Sequence, residues 1–120
     1  MKAALVAYED QTAPMECPYG HTTRIVTGGA GGVANVHVVE VTEGRPHVHE
    51  GYDEVYYVLS GTGELELDGM RHPLRPGAVV VIPAGMPHAL ESDSETPLKF
   101  VIFGTPPVPL DDSRAVPRAV

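Results

Sequence analysis

The residues best suited to chemistry lie in one short stretch, Arg45-Pro46-His47-Val48-His49-Glu50-Gly51-Tyr52-Asp53-Glu54. In an extended strand, side chains two positions apart leave the same face, so His47 and His49 would aim their imidazoles at one point. Glu54 follows the turn-like Glu50-Gly51-Tyr52-Asp53 and opens the apolar run Val55-Tyr56-Tyr57-Val58-Leu59. Imidazoles and a carboxylate converging from adjacent strands make a site for a first-row transition metal ion. A fourth ligand has to come from elsewhere in the chain, and His88 is the candidate. Asp53 is the rival to Glu54; its alternative reading is a solvated turn residue or an acceptor for a backbone N–H.

The elements that must position these residues read as short strands. Thirteen glycines and twelve prolines in 120 residues imply many turns. Residues 2–8 read as a strand, at an edge or lent to a partner. Residues 9–21, with Pro14, Pro18 and Gly20, read as irregular, and His21–Thr27 as a second strand. Gly28–Gly32 is a flexible connection; it lacks the lysine, the Ser/Thr and the following helix of a phosphate loop. Val33–Thr42 is β-branched and apolar on both faces, as a sandwich or barrel strand is. The His47/His49 strand and Val55–Leu59 follow. Glu64-Leu65-Glu66-Leu67 alternates with period two, so one face is buried and one solvated. Asp68-Gly69 is a hairpin turn. Met70–Leu74 returns at an edge, because Pro73 cannot donate to a ladder. Ala78–Ile82 is a buried strand, Pro83–Pro87 a tight turn delivering His88–Glu91, and Leu98–Phe103 the last strand. With no helical period, the pattern is an all-β sandwich or barrel in a single domain. It spans residues 1–110, with a mobile tail at 111–120; the chain is proline-rich from Pro106 on.

These residues resemble the motifs of the cupin superfamily. The first motif is carried by His47-Val48-His49, Glu54 and Gly61, the second by Gly77, Pro83-Ala84-Gly85 and His88. The fifteen residues between Gly61 and Gly77 match a small single-domain member. Two positions depart from the pattern: the glycine before the first histidine is Gly44, closer in than is usual, and Ser92 stands where an asparagine is common. The resemblance implies a cupin jelly-roll β-barrel (a double-stranded β-helix) and commonly a homodimer. It also implies a barrel mouth lined by His47, His49, Glu54 and His88, holding one divalent transition metal ion (Fe, Mn, Ni or Zn).

Three imidazoles and one carboxylate leave two positions of an octahedral ion open, which marks a working site rather than a sealed one. The residual positive charge suits a bidentate oxygen ligand: an enediolate, a 2-oxo acid, oxalate or a diol. The leading expectation is a dioxygenase-type oxidoreductase acting on a small oxygenated organic substrate. The alternatives are a non-oxidative isomerase or lyase using Mn, Ni or Zn, and a small-ligand or metal-binding module without turnover.

Tyr56 shares parity with Glu54 and His37 lies on the inner-strand candidate, so both are candidate acid–base catalytic residues. Their plainer readings are a core aromatic and a hydrogen-bonded core histidine. Arg24 is either an anchor for an anionic substrate or a surface salt bridge. His21 and His72 read as exposed, Glu64 and Glu66 as a solvated face, and Cys17 as a loop cysteine without a base.

A net charge of −8, from 8 basic and 16 acidic residues, disfavours nucleic acid and anionic membrane surfaces as partners. The expected partner is a small molecule. One cysteine gives no internal disulfide, and no signal peptide or bilayer-spanning run is read. A soluble cytoplasmic protein is the expectation.

Overall fold

A computed structural model describes residues 4–27, 33–41, 47–49, 51–107 and 113–115, with the backbone alone at 47, 49 and 113–115. The described strands are β1 (Met15–Cys17), β2 (Gly20–Val26), β3 (Asn35–Val41), β4 (His47–His49), β5 (Asp53–Ser60) and β6 (Gly63–Leu67). They continue with β7 (Met70–Leu74), β8 (Val79–Ile82), β9 (His88–Ser92), β10 (Lys99–Thr105) and β11 (Ser113–Ala115). They form two antiparallel sheets, one ordered β1-β2-β3-β10-β5-β8 and the other β11-β4-β9-β6-β7. The architecture is the expected all-β barrel. Among the described residues no helix is long and apolar enough to cross a membrane.

The core lies between the sheets. Tyr19, Val39, Tyr56, Val58 and Phe100 of the first sheet meet Leu65, Leu74 and Leu90 of the second. Alternation in β5 explains the sorting: Glu54, Tyr56 and Val58 are buried, while Asp53, Tyr57 and Leu59 are exposed. Cross-strand register extends this inner face into rows. One row runs Ile82–Glu54–Gly104–Asn35, and the next runs Val80–Tyr56–Ile102–His37–Arg24.

Several turns follow from local chemistry. Asp68 (φ 47°) and Gly69 (φ 83°) both take left-handed backbone, the requirement of a tight two-residue hairpin. Strand β7 sits at the sheet edge, where Pro73 withholds no needed N–H. Gly61 has φ 82°, and a Cβ there would lie 2.0 Å from the Pro97 carbonyl oxygen, so the motif glycine is required twice over.

The chain's beginning departs from expectation. Residues 4–8 form no strand, and residues 9–11 make a single 3₁₀ turn. Leu5, Val6 and Tyr8 are all exposed, and no strand among the described residues pairs with this apolar run. Strand β1 instead forms within the segment read as irregular, hairpinning onto β2 through Pro18-Tyr19. Within the C-terminal tail, β11 pairs with β4. The glycine run 28–32 lies outside the described residues.

Candidate metal centre

His88 begins β9 in one sheet and Glu54 lies near the start of β5 in the other. Across the interior, His88 Nε2 stands 3.3 Å from Glu54 Oε1, with side-chain exposures of 1% and 5%. The ring's other nitrogen, Nδ1, lies 2.9 Å from the Met86 carbonyl oxygen. A carbonyl only accepts, so Nδ1 carries a proton and Nε2 is the ring nitrogen that faces the carboxylate. A cation between Nε2 and the carboxylate, a proton or a metal ion, makes that buried approach favourable. Two donors each about 2.1 Å from one ion and about 100° apart stand about 3.2 Å from each other. The pair therefore fits a metal ion, and the Nδ1–carbonyl bond is the usual device that orients a ligating histidine.

The turn before β9 sets this geometry. Met86 N–H bonds the Pro83 carbonyl at 3.2 Å, and Gly85 takes φ 83°. Asp53 Oδ1 accepts from Ala84 N–H at 2.8 Å. Asp53 is exposed and serves the turn, while Glu54, its neighbour, points inward. Strand parity thus places Glu54 inside the barrel and Asp53 outside it.

Register pairs His47 with His88 across β4 and β9, and His49 follows two residues later on β4. The backbone thus brings three of the four expected ligand positions to one end of the second sheet. The imidazoles of His47 and His49 lie outside the described residues.

Tyr56 is wholly buried, with its ring stacked on Phe100 at 4.7 Å. Its hydroxyl lies 3.4 Å from Glu54 Oε1 and 3.2 Å from the Tyr19 hydroxyl. Burial drives the Tyr56 phenol well above its ordinary ionisation range, and the nearby Glu54 and Tyr19 add to this. Burial does the same to Tyr19, partly offset by the hydrogen bond with Tyr56. Both stay protonated at neutral pH, so Tyr56 can offer its proton to the Glu54 carboxylate and hold its orientation. Between the two sequence candidates for proton transfer, Tyr56 thus sits against Glu54, and His37 stands two strands away in the same row, half-buried.

Three participants escaped the sequence reading. Tyr19 sits at the β1–β2 turn, yet it is 2% exposed and meets the rings of Tyr56, His88 and Phe100 edge-on. Asn35 is buried in the Glu54 row. Tyr52 is buried beside Gly104, where an added Cβ would come within 3.1 Å of its ring. Gly104 opposite Glu54 was the legible signal: a glycine inside an apolar strand marks close approach by another group. His21 and His72 are exposed as expected, and Cys17 lies in β1 against the core.

A Cupin domain family model matches residues 34–104. An uncharacterised protein of Methanocaldococcus jannaschii is 33% identical over 67 residues, covering 56% of this chain and 54% of its own length. The chain thus spans about half of that relative. Protein SchB of Streptomyces halstedii is 29% identical over 116 residues, 92% of this chain and 83% of its own. Among solved structures, a protein from Planctomyces limnophilus superposes with TM-score 0.80 at 24% identity, covering 92% of this chain and 96% of its own. A Streptomyces nucleoside dehydratase gives 0.76 at 18%, covering 95% and 92%. The polyketide cyclase RemF of Streptomyces resistomycificus gives 0.74 at 19%, covering 98% and 88%.

Proposed function

The chain belongs to the cupin domain family, whose model covers residues 34–104, and from that premise we propose a metal-dependent enzyme that moves a proton on a small oxygenated organic substrate. The observation that carries this reading is the buried His88–Glu54 pair at 3.3 Å, with Nδ1 of His88 tied to a backbone carbonyl. Glu54 and His88, with His47 and His49, would hold the ion. A bound divalent ion would act as a Lewis acid, polarising a substrate oxygen and stabilising the negative charge that develops there.

The remaining chemistry belongs to the chain's own residues. Tyr56 orients the Glu54 carboxylate through its hydroxyl, 3.4 Å away. His37, on the inner face in the row of Tyr56, is the acid–base candidate whose imidazole is not a ligand. The apolar walls formed by Ile82, Ile102 and Phe100 keep water from the proton transfer. Lewis-acid proton transfer also agrees with two fold neighbours whose names denote loss of water and ring closure, the nucleoside dehydratase and the polyketide cyclase. Oxygen-dependent chemistry would use the same ligands.

The test is anaerobic incubation of Mn-, Ni-, Zn- and Fe-loaded protein in D₂O with a panel of 2-oxo and 2-hydroxy acids, followed by proton NMR. Metal-dependent exchange of a substrate C–H for C–D, lost in His37→Gln, supports the reading. Turnover only with dioxygen, followed by oxygen uptake, transfers it to a dioxygenase. Binding with neither exchange nor uptake makes this a ligand-binding barrel.

A further inference from the structure

The first sheet carries a second chemical feature, away from the metal ligands. Arg24 lies on β2 and pairs with His37, at the far end of the inner row that leads through Ile102 to Tyr56. Its neighbour on that face, Thr22, is 3% exposed. Arg24 itself is half-buried, and its Nε is shut off from solvent without a hydrogen-bond partner among the described residues. The Thr22 hydroxyl is in the same state.

The described cations elsewhere are either paired or hydrated. Arg71 meets Glu64 and Glu91, Lys99 meets Glu9 and Glu40, and Arg75 is exposed. Arg24 has no carboxylate within ion-pair distance among the described residues, although the chain carries 16 acids against 8 bases. The nearest acid on β3, Glu40, has the opposite parity to His37 and is exposed. A guanidinium drawn partly out of water without a counter-charge among the described residues is costly, and an anionic ligand would relieve that cost.

We infer that Arg24 is a substrate-specificity residue that anchors a carboxylate at the end of the inner row away from the metal. This inference rests on the proposed metal-dependent function and names its substrate class: an organic acid with a metal-binding oxygen group at one end and a carboxylate at the other. Three strand spacings separate Arg24 from Tyr56, about 14 Å between Cα atoms. The two groups sit on different strands, so the substrate class is an extended or aromatic acid whose carboxylate lies apart from its metal-binding oxygens.

The test compares two probes of matched size, 3-(3,4-dihydroxyphenyl)propanoate and its uncharged amide. Each is titrated anaerobically by calorimetry into zinc-loaded wild-type, Arg24→Gln and Arg24→Lys protein, with metal content and circular dichroism measured on the same samples. The wild type should bind the acid at least tenfold more tightly than the amide. Arg24→Gln should abolish that preference while leaving amide affinity and metal content unchanged, and Arg24→Lys should restore part of it. Equal affinities in the wild type, no measurable binding of the acid, or a preference that survives in Arg24→Gln would overturn the inference. A protein that takes up no zinc yet keeps an Arg24-dependent preference for the acid would sink the metalloenzyme reading and leave the carboxylate site standing.

Discussion

His88 and Glu54 meet across the barrel, Nε2 to Oε1 at 3.3 Å, one residue on each sheet and both out of solvent. Their contact ties the two sheets together at the point where charge is most expensive to bury. A metal ion would relieve that cost by giving the carboxylate and the imidazole a shared partner. The consequences can be measured at residues around the pair.

Asp53 holds the turn that delivers His88, through the 2.8 Å bond from Ala84 N–H. Asp53→Ala should leave the barrel folded, at a cost of about 1 kcal/mol for one lost hydrogen bond. Metal affinity should fall about tenfold, because the turn no longer fixes the His88 ring. Chelator competition read alongside a urea melt separates the two effects.

Tyr56→Phe removes the hydroxyl that reaches Glu54 and keeps the ring stacked on Phe100. Stability should change by about 1 kcal/mol, while metal affinity should weaken by about tenfold or more as the carboxylate loses its restraint. An unchanged dissociation constant would remove Tyr56 from any role at the ligand.

Two of the buried phenols make an alkaline prediction. In the unfolded chain Tyr19 and Tyr56 ionise near 10.0, and burial raises both well above that value in the folded protein. Above pH 10 the unfolded state therefore releases protons that the folded state keeps, so stability present below that pH is lost as pH rises. Absorbance at 295 nm should show Tyr19 and Tyr56 ionising only as the protein unfolds. Ionisation of all the tyrosines without loss of structure would contradict their burial.

Much of this architecture was legible because strands report themselves by period and punctuation. The alternation in Glu64–Leu67, the Asp68-Gly69 turn and the prolines located β6, β7 and the edge. Glu54 was separable from Asp53 by parity alone. Other features required tertiary information. The apolar run at residues 4–8 looks like a strand, but a strand needs a neighbour, and among the described residues Leu5 and Val6 stay exposed. Tyr19 sits in a turn by sequence, and only folding of the β1–β2 hairpin carries its ring to Tyr56 and His88. That Arg24 has no carboxylate partner among the described residues is likewise a fact of tertiary structure.

The motif glycines should differ sharply. Gly61→Ala places a Cβ 2.0 Å from the Pro97 oxygen on a backbone at φ 82°, and should cost about 3 kcal/mol or more, enough to threaten folding. Gly77→Ala has φ 88° but open space around the new methyl, and should cost about 1–2 kcal/mol from backbone strain alone. Thermal melts of the two variants rank them directly, and equal losses would mean that the Pro97 contact carries no weight.

The most direct test of the central claim is metal content, by inductively coupled plasma mass spectrometry on protein purified without a histidine tag. Wild type should hold about one equivalent of a divalent transition metal per chain, as isolated or after reconstitution. Glu54→Gln and His88→Ala should lose it while circular dichroism reports an intact barrel. A folded wild-type chain that retains no Fe, Mn, Ni or Zn would contradict the account, and would mean that a proton alone bridges His88 and Glu54.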